Sequence, residues 1–499
     1  MPLVPLDIPA GVYRNGTEYE AKGRWYETNL VRWLEGRLEP VGGWTQYEST
    51  ADPLTGTARG IHTWRDNSSV RNLAIGCPDN LYVSKGGSFY DITPNDLAEG
   101  RESGVLALGF GVGPFGSEDY GDERTTSAIS INPTTWSLDN WGENLVACAT
   151  TDGRLFEWTG GLLTDAAVIS NAPTDCVGLI VSNERHLFAL GAGGNPRKIA
   201  FSTQEDNTVW TASADNTAGD LLLETAGVIK TAKRVGNDII IWTDVDCHLV
   251  RYLGPPYVYG VERIGTQCGV VSPNAVVSAG GTAIWLSESG FWMYDGAIKP
   301  LQCDAHLDAT KRINRVQQGK VFGGHNSQFG EMWFFYPSSD STENDKYVFY
   351  NYRLQHWAVG ELARTAWIDQ GTFENPIAVS PDGVVYSHEF GVTNDGTTRV
   401  GSIYATSGPI ELGQGDRFAV VDRIIADDYE NLPSLKTVIG VKNTPEGAYT
   451  ESEYSLSESD GYIDVRITGR QMRVKLETTR DEDFKFGTIR MNIKQGSLR

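Results

Sequence analysis

From about Gly60 to Gly391 the chain repeats one hydrophobic pattern. An apolar run meets a tight turn carrying an acidic residue, and a second run rich in aromatic or aliphatic residues follows. The pattern reads in "LAIGCPDNLYVSKGGSFYDIT", "LVACATTDGRLFEWTGG", "LIVSNERHLFALGAGG" and "IIIWTDVDCHLVRYLG". It returns in "AIWLSESGFWMYDGAIKPL", "MWFFYPSSDSTENDKYVFYNYRLQHW" and "IAVSPDGVVYSHEF". The turns fall near Asp79, Asp152, Glu184, Asp244, Glu288, Asp340 and Asp382, at a mean interval of about 50 residues. Asp-Gly and Asp-Asn between apolar runs are hairpin chemistry, because Gly and Asn tolerate the positive φ of primed turns. A strand unit recurring every ~40–50 residues is the mark of propeller blades, which bury both faces only by stacking into a closed ring. The expected fold is all-β, a β-propeller of six to eight blades with seven fitting best, over residues 58–391.

The flanks read differently. Residues 26–36, "YETNLVRWLEG", fit a short helix starting at Thr28 or Asn29 and stopping at Gly36, with Leu30, Trp33 and Leu34 on one face. This helix belongs to an aromatic and arginine-rich segment, residues 1–57, expected to pack on the propeller or on a neighbouring subunit. In residues 392–499, Ile463, Val465 and Ile467 alternate with Asp464, Arg466 and Thr468. Met472, Val474 and Leu476 alternate with Arg473, Lys475 and Glu477, and "FGTIRMNI" follows. That periodicity predicts a half-buried antiparallel meander in a C-terminal β domain.

Composition sharpens this picture. Fifty-six Gly and 21 Pro among 499 residues suit many short strands. The N-terminus lacks a basic region leading into an apolar core, and no apolar run approaches the ~18 residues of a membrane helix. A soluble chain without a standard export signal or membrane insertion is expected. Cys77, Cys148, Cys176, Cys247, Cys268 and Cys303 lie far apart with no C-x-x-C pair, as buried thiols in a reducing cytoplasm would. Sixty-four acidic against 42 basic residues give −22, the opposite of a chain that grips DNA through its phosphates. Residues 461–499 reverse the sign, with nine basic and five acidic side chains, leaving −26 on the rest. A basic end on an acidic body favours head-to-tail contact between copies, although an ordinary solvated strand face reads the same way.

Candidate chemistry is sparse. "GVGPFG" at 111–116 satisfies G-x-G-x-x-G, but acidic residues and no helical periodicity follow it, so it reads as a Gly/aromatic loop inserted at about 95–135. Asp244, Asp246 and His248, and separately Cys303, Asp304 and His306, fall short of a zinc ligand set. No G-x-S-x-G, H-E-x-x-H or S-x-D-x-G-x-T-W is present. The expectation is a chain that is not an enzyme, with no catalytic residues, cofactor or metal.

Several strings occur together in order. "GVYRNGTEYEAKGRWYETNLVRW", "PVGGW", "GIHTW" and "SFYDITP" come first, then "WSLDNWGENLVA", "GRLFEW", "FSTQEDNTVWT", "NTAGDL" and "GSIYATSGPIELGQGDR". Together, from about residue 11 to 417, they resemble the tail hub or nozzle proteins of short-tailed bacteriophages, also known as packaged DNA stabilisation proteins. The resemblance implies a virion protein assembled in the host cytoplasm. It implies a homohexameric ring below the connector, docked on an adaptor ring, surrounding the DNA exit channel and supporting a tail needle, fibres or tailspikes. DNA would pass without sequence-specific contact, and an acidic or neutral lumen would keep its sliding friction low. The acid-rich loop departs from the family's tyrosine-rich one. Two other classes stay open: a phage propeller that binds or cleaves host surface carbohydrate, and a monomeric scaffold.

Arg14, Arg24, Trp25, Arg32, Trp33 and Trp44 are the candidate subunit-interface residues. Trp and Arg are favoured interface anchors, while large aromatics are more often buried in a core.

Overall fold

The computed structural model describes residues 4–47, 54–106, 130–411, 418–430, 435–444, 447–455 and 462–495. Seven four-stranded antiparallel sheets form the blades of a propeller. Blade 1 holds Gly60–Arg65, Arg71–Gly76, Leu81–Lys85 and Ser88–Asp91, and blade 2 runs from Trp136–Trp141 out to Ala167–Val168. The innermost strands of blades 3 to 7 are Gly178–Val181, Ile229–Val235, Val276–Ala279, Phe322–Asn326 and Ala366–Ile368. Each innermost strand touches the next, and Ala366–Ile368 touches Gly60–Arg65, so the ring is closed.

Six of the seven acidic turns join the second and third strands of their blades, and the turn at Glu184 joins the first and second strands of blade 3. Those second strands are the most thoroughly buried, as in "DIIIWT" at 238–243 and "EMWFFY" at 331–336, because they are covered by a blade on each face. The recurring signal in the sequence is therefore this central hairpin.

Closure uses the other end of the chain. Blade 7 has three consecutive strands, Ala366–Ile368, Ile377–Val379 and Val385–His388, and its outer strand is Trp44–Gln46. Trp44 is buried and stacks on His388 with ring centroids 5.2 Å apart.

Residues 26–36 are not helical. Trp25–Asn29 and Val31–Leu34 are strands, separated by Leu30 at φ 51°. Glu35 and Gly36, both at positive φ, make a two-residue hairpin loop into Arg37–Pro40. The Gly36 read as a helix stop is a turn residue, and a left-handed Leu30 breaks any helical run. Arg32 and Trp33, adjacent in a strand and so facing opposite ways, are both buried, which a one-sided helix would not permit.

The C-terminal region is a pair of six-stranded sheets, each completed by N-terminal strands. Val31–Leu34, Arg37–Pro40 and Val4–Leu6 join the sheet of Ala419–Glu430, Ile463–Gly469 and Lys485–Gln495. Trp25–Asn29 joins the sheet of Tyr404–Ser407, Leu435–Lys442 and Gln471–Thr478. Residues 1–57 are thus no separate packing segment: they supply strands to both parts. The expected meander gives way as well. Val465 and Ile467, and Met472, Val474 and Leu476, are buried as the alternation requires, yet Ile463–Gly469 and Gln471–Thr478 lie in different sheets. Alternation fixes which face is buried and leaves the hydrogen-bonded neighbour open.

The inserted loop falls between blades 1 and 2, and its base is a short ladder of Val105–Leu106 with Ser130–Ile131. The Gly/aromatic stretch 109–121 lies outside the described residues.

Candidate functional site

Two polar cavities of about 230 Å³ stand out, one on the propeller axis and one between blade 6 and the sandwich. The axial cavity is walled by the innermost strands. From blade 1 comes His62, from blade 2 Ser137 and Asp139, and from blade 4 Lys230, Lys233 and Arg234. Asp139 is saturated. Its Oδ1 accepts hydrogen bonds from the Asn140 amide and Arg234 Nη2, and its Oδ2 from the Val181 amide and Arg234 Nη1, all at 2.9–3.0 Å. Arg234 also donates to the Val181 carbonyl at 2.6 Å, so one guanidinium ties blades 2, 3 and 4 together.

The two lysines have no such partner. Among the described residues neither the Lys230 nor the Lys233 ammonium has a hydrogen-bond or ion-pair partner within the chain. Burial pushes the Lys233 ammonium below the ordinary lysine range, against the attraction of Asp139 and with the repulsion of Arg234. Burial likewise holds the His62 imidazole below its usual pKa, with Asp139 opposing, and its Nε2 lies 3.2 Å from Asn140 Oδ1. The wall therefore carries a neutral histidine, one neutralised arginine and two ammonium groups without an ion-pair contact.

The approaches to two inner strands are laced together by charge. Arg59, just before blade 1's inner strand, is buried and forms an ion pair with Glu343 at 2.5 Å, and Lys320, just before blade 6's, reaches the same carboxylate at 3.0 Å. Lys320 also donates to Ser103, and Gln317 exchanges hydrogen bonds with Gly104, so the base of the insertion is pinned across the starts of the inner strands.

The second cavity holds Arg14, Glu27, Asp308, Asp340, Glu361, Tyr336 and Tyr404. Three of its four carboxylates are occupied. Asp308 pairs with Arg14 at 2.5 Å and with Arg312 at 2.8 Å, Glu361 pairs with Lys346, and Glu27 accepts from the Tyr404 hydroxyl.

The six residues expected at a subunit interface lie along the junction of the two parts. Trp25, Trp33 and Trp44 are 4%, 2% and 5% exposed and Arg32 is 1% exposed, so these four belong to the chain's own core. Their interface assignment is corrected: aromatic rings and a guanidinium were needed to weld the N-terminal strands onto blades 6 and 7. Arg14 and Arg24 are part-exposed and engage Asp308 and Asp304 of the same chain.

The candidate metal residues also find other partners. His248 Nε2 and Asp246 Oδ1 are 3.1 Å apart, and Asp246 further accepts from Thr225 and Thr243. Asp304 pairs with Arg24, while His306 faces Thr310. Among the described residues no three His, Cys, Asp or Glu side chains gather as a metal site. Also among them, no helix is long and apolar enough to cross a membrane.

Sequence reading missed the axial basic cluster. Its one local sign was "KTAKRV", three cations on a short strand inside an acidic chain. His62 and Asp139 sit in "GIHTW" and "WSLDNW", which are the innermost strands of blades 1 and 2.

No family model matches the chain, and no curated protein does. Solved structures similar to it include virginiamycin B lyase from Staphylococcus aureus, at 7% identity and TM-score 0.42 over 68% of this chain and 97% of that one. BamB from Moraxella catarrhalis aligns at 11% identity and TM-score 0.37, over 72% and 96% of the two chains. YCF48 from Cyanidioschyzon merolae aligns at 8% identity and TM-score 0.39, over 70% and 99%.

Proposed function

We propose that this chain is a structural subunit of the tail hub, or nozzle, of a short-tailed bacteriophage, forming a hexameric ring that extends the DNA exit channel below the connector. The observation that carries this reading is the ordered series of family-like strings from about residue 11 to 417. Those strings fall on the skeleton of the fold. "GIHTW" and "WSLDNW" are inner blade strands, and "GSIYATSGPIE" spans two strands of the sandwich.

Mechanical considerations support it. Strands from residues 4–46 complete both six-stranded sheets and the last blade, so pulling on either part loads a shared hydrogen-bond ladder. The hub holds by fit, its side chains making and breaking no covalent bond. An axial cavity of about 230 Å³ is far too small for a duplex whose major groove alone is ~12 Å wide. The duplex therefore runs between copies, along walls of a chain carrying −22. Exposed like charge within ~8 Å of the phosphates keeps the DNA sliding. An adaptor ring above and a needle, fibres or tailspikes below are the partners in this reading, and the virion tail is its location.

The experiment is complementation of DNA-filled heads made without this chain. Adding the purified protein is expected to convert nuclease-sensitive, leaking genomes into protected ones. Equal leakage with and without it would overturn the proposal.

A further inference from the structure

The axial cavity has the charge and donors of an anion site, and this inference does not depend on the tail reading. Arg234 is neutralised by Asp139, whose two oxygens already accept four hydrogen bonds. Lys230 and Lys233 reach the same cavity without a carboxylate of their own, and Lys233 is desolvated there. An ammonium removed from water without a counter-charge is unfavourable, so an anion entering this space gains two unshared charges at once. His62, held neutral, adds a further group able to hydrogen-bond.

We propose that the propeller axis binds a phosphate-class dianion, free phosphate or the terminal group of a phosphate monoester, between Lys230, Lys233 and Arg234. Two free ammonium groups match a dianion better than a carboxylate, since phosphate with its second pKa near ~6 carries close to two charges at neutral pH. The cavity's volume of about 230 Å³ admits such an ion with some of its water and excludes a nucleic-acid duplex.

The test is isothermal titration calorimetry of the full chain at pH 7 with inorganic phosphate, methyl phosphate and acetate, each at matched ionic strength in chloride. Saturable one-to-one binding of phosphate or methyl phosphate, with acetate at least tenfold weaker, is expected. Binding of methyl phosphate as strong as that of phosphate identifies a monoester end as the ligand; much weaker binding identifies the free ion. Lys233→Met should weaken phosphate at least tenfold, Lys230→Met should weaken it by a smaller factor, and Lys233→Arg should restore binding to within about threefold. Loss of an uncompensated charge should also leave Lys233→Met folded and at least as resistant to heating as the parent in chloride. The proposal is overturned if phosphate gives no heat and no rise in melting temperature over chloride. It is equally overturned if both methionine variants bind phosphate as the parent does.

Discussion

Arg32 and Glu331, 299 residues apart in sequence, meet in a two-point ion pair, Nε to Oε1 at 2.9 Å and Nη2 to Oε2 at 3.0 Å. Arg32 lies on a sandwich strand and Glu331 on the second strand of blade 6. Glu389, just past blade 7's third strand, grips the same guanidinium at 3.0 and 2.5 Å, and the Phe329 ring lies 3.6 Å beneath it. Burial opposes the arginine's charge, but the two carboxylates outweigh it and lift its pKa above the usual value. Burial pushes the Glu331 carboxyl above its usual range, with Arg32 opposing. One cation thus joins the sandwich to two blades.

Removing that cation strands two buried carboxylates. Arg32→Met is expected to cost about 3–5 kcal/mol, as breaking a buried pair from one side does. Arg32→Glu should unfold the chain outright rather than merely prevent ring formation. Urea unfolding checks this, and a loss under about 1 kcal/mol would mean the network is solvated.

Trp44 closes the ring. It stacks on His388 and lies under the guanidinium groups of Arg364 and Arg399, at 5.0 and 5.3 Å from its ring. Trp44→Ala should cost about 3–5 kcal/mol. Hydrogen exchange should quicken first in Val385–His388, whose outer neighbour is released, and then in Ile377–Val379 beside it. Uniform quickening across all seven blades would contradict the closure role.

His356 is buried against Trp33, and burial holds its pKa down at about 4, with the Leu354 backbone opposing. Below pH ~6.5 the unfolded chain takes up a proton that the folded chain refuses. Stability should therefore fall as pH drops from about 6.5 towards 4, by up to ~1.4 kcal/mol per unit from this group. His356→Gln should flatten that slope when urea midpoints are compared at pH 7, 6 and 5. An unchanged slope would assign the acid sensitivity elsewhere.

All six cysteines are buried, and burial pushes the Cys77 and Cys176 thiols up to about 12. A thiol reagent at pH 8 should titrate none in the native protein and six in denaturant, because only an accessible thiolate reacts. One fast native thiol would show a locally open blade.

The propeller was legible because its central hairpins repeat a local code, apolar runs on either side of an acidic turn. Asp152-Gly153 and Asp382-Gly383 mark such turns, with both glycines at positive φ. Non-local pairing left no comparable trace. Nothing in "GWTQ" announces an outer strand for residues 385–388, and nothing in "VRWL" announces a partner at 331. The axial cluster stayed hidden for the same reason: Lys230, Lys233, His62 and Asp139 converge only once four blades have stacked. Trp25, Trp33 and Arg32 carried a composition that suits interfaces and cores alike, and burial alone separates the two.

In the proposed tail, copies of this chain ring a DNA channel. Electron cryomicroscopy of DNA-filled heads incubated with the 54.7 kDa protein tests it most directly. A six-fold ring of propellers below the connector is expected, its lumen wide enough for duplex and lined mainly by acidic or neutral side chains. Heads left undecorated beside free monomer, or a ring whose lumen is lined mainly by lysine and arginine, would contradict it.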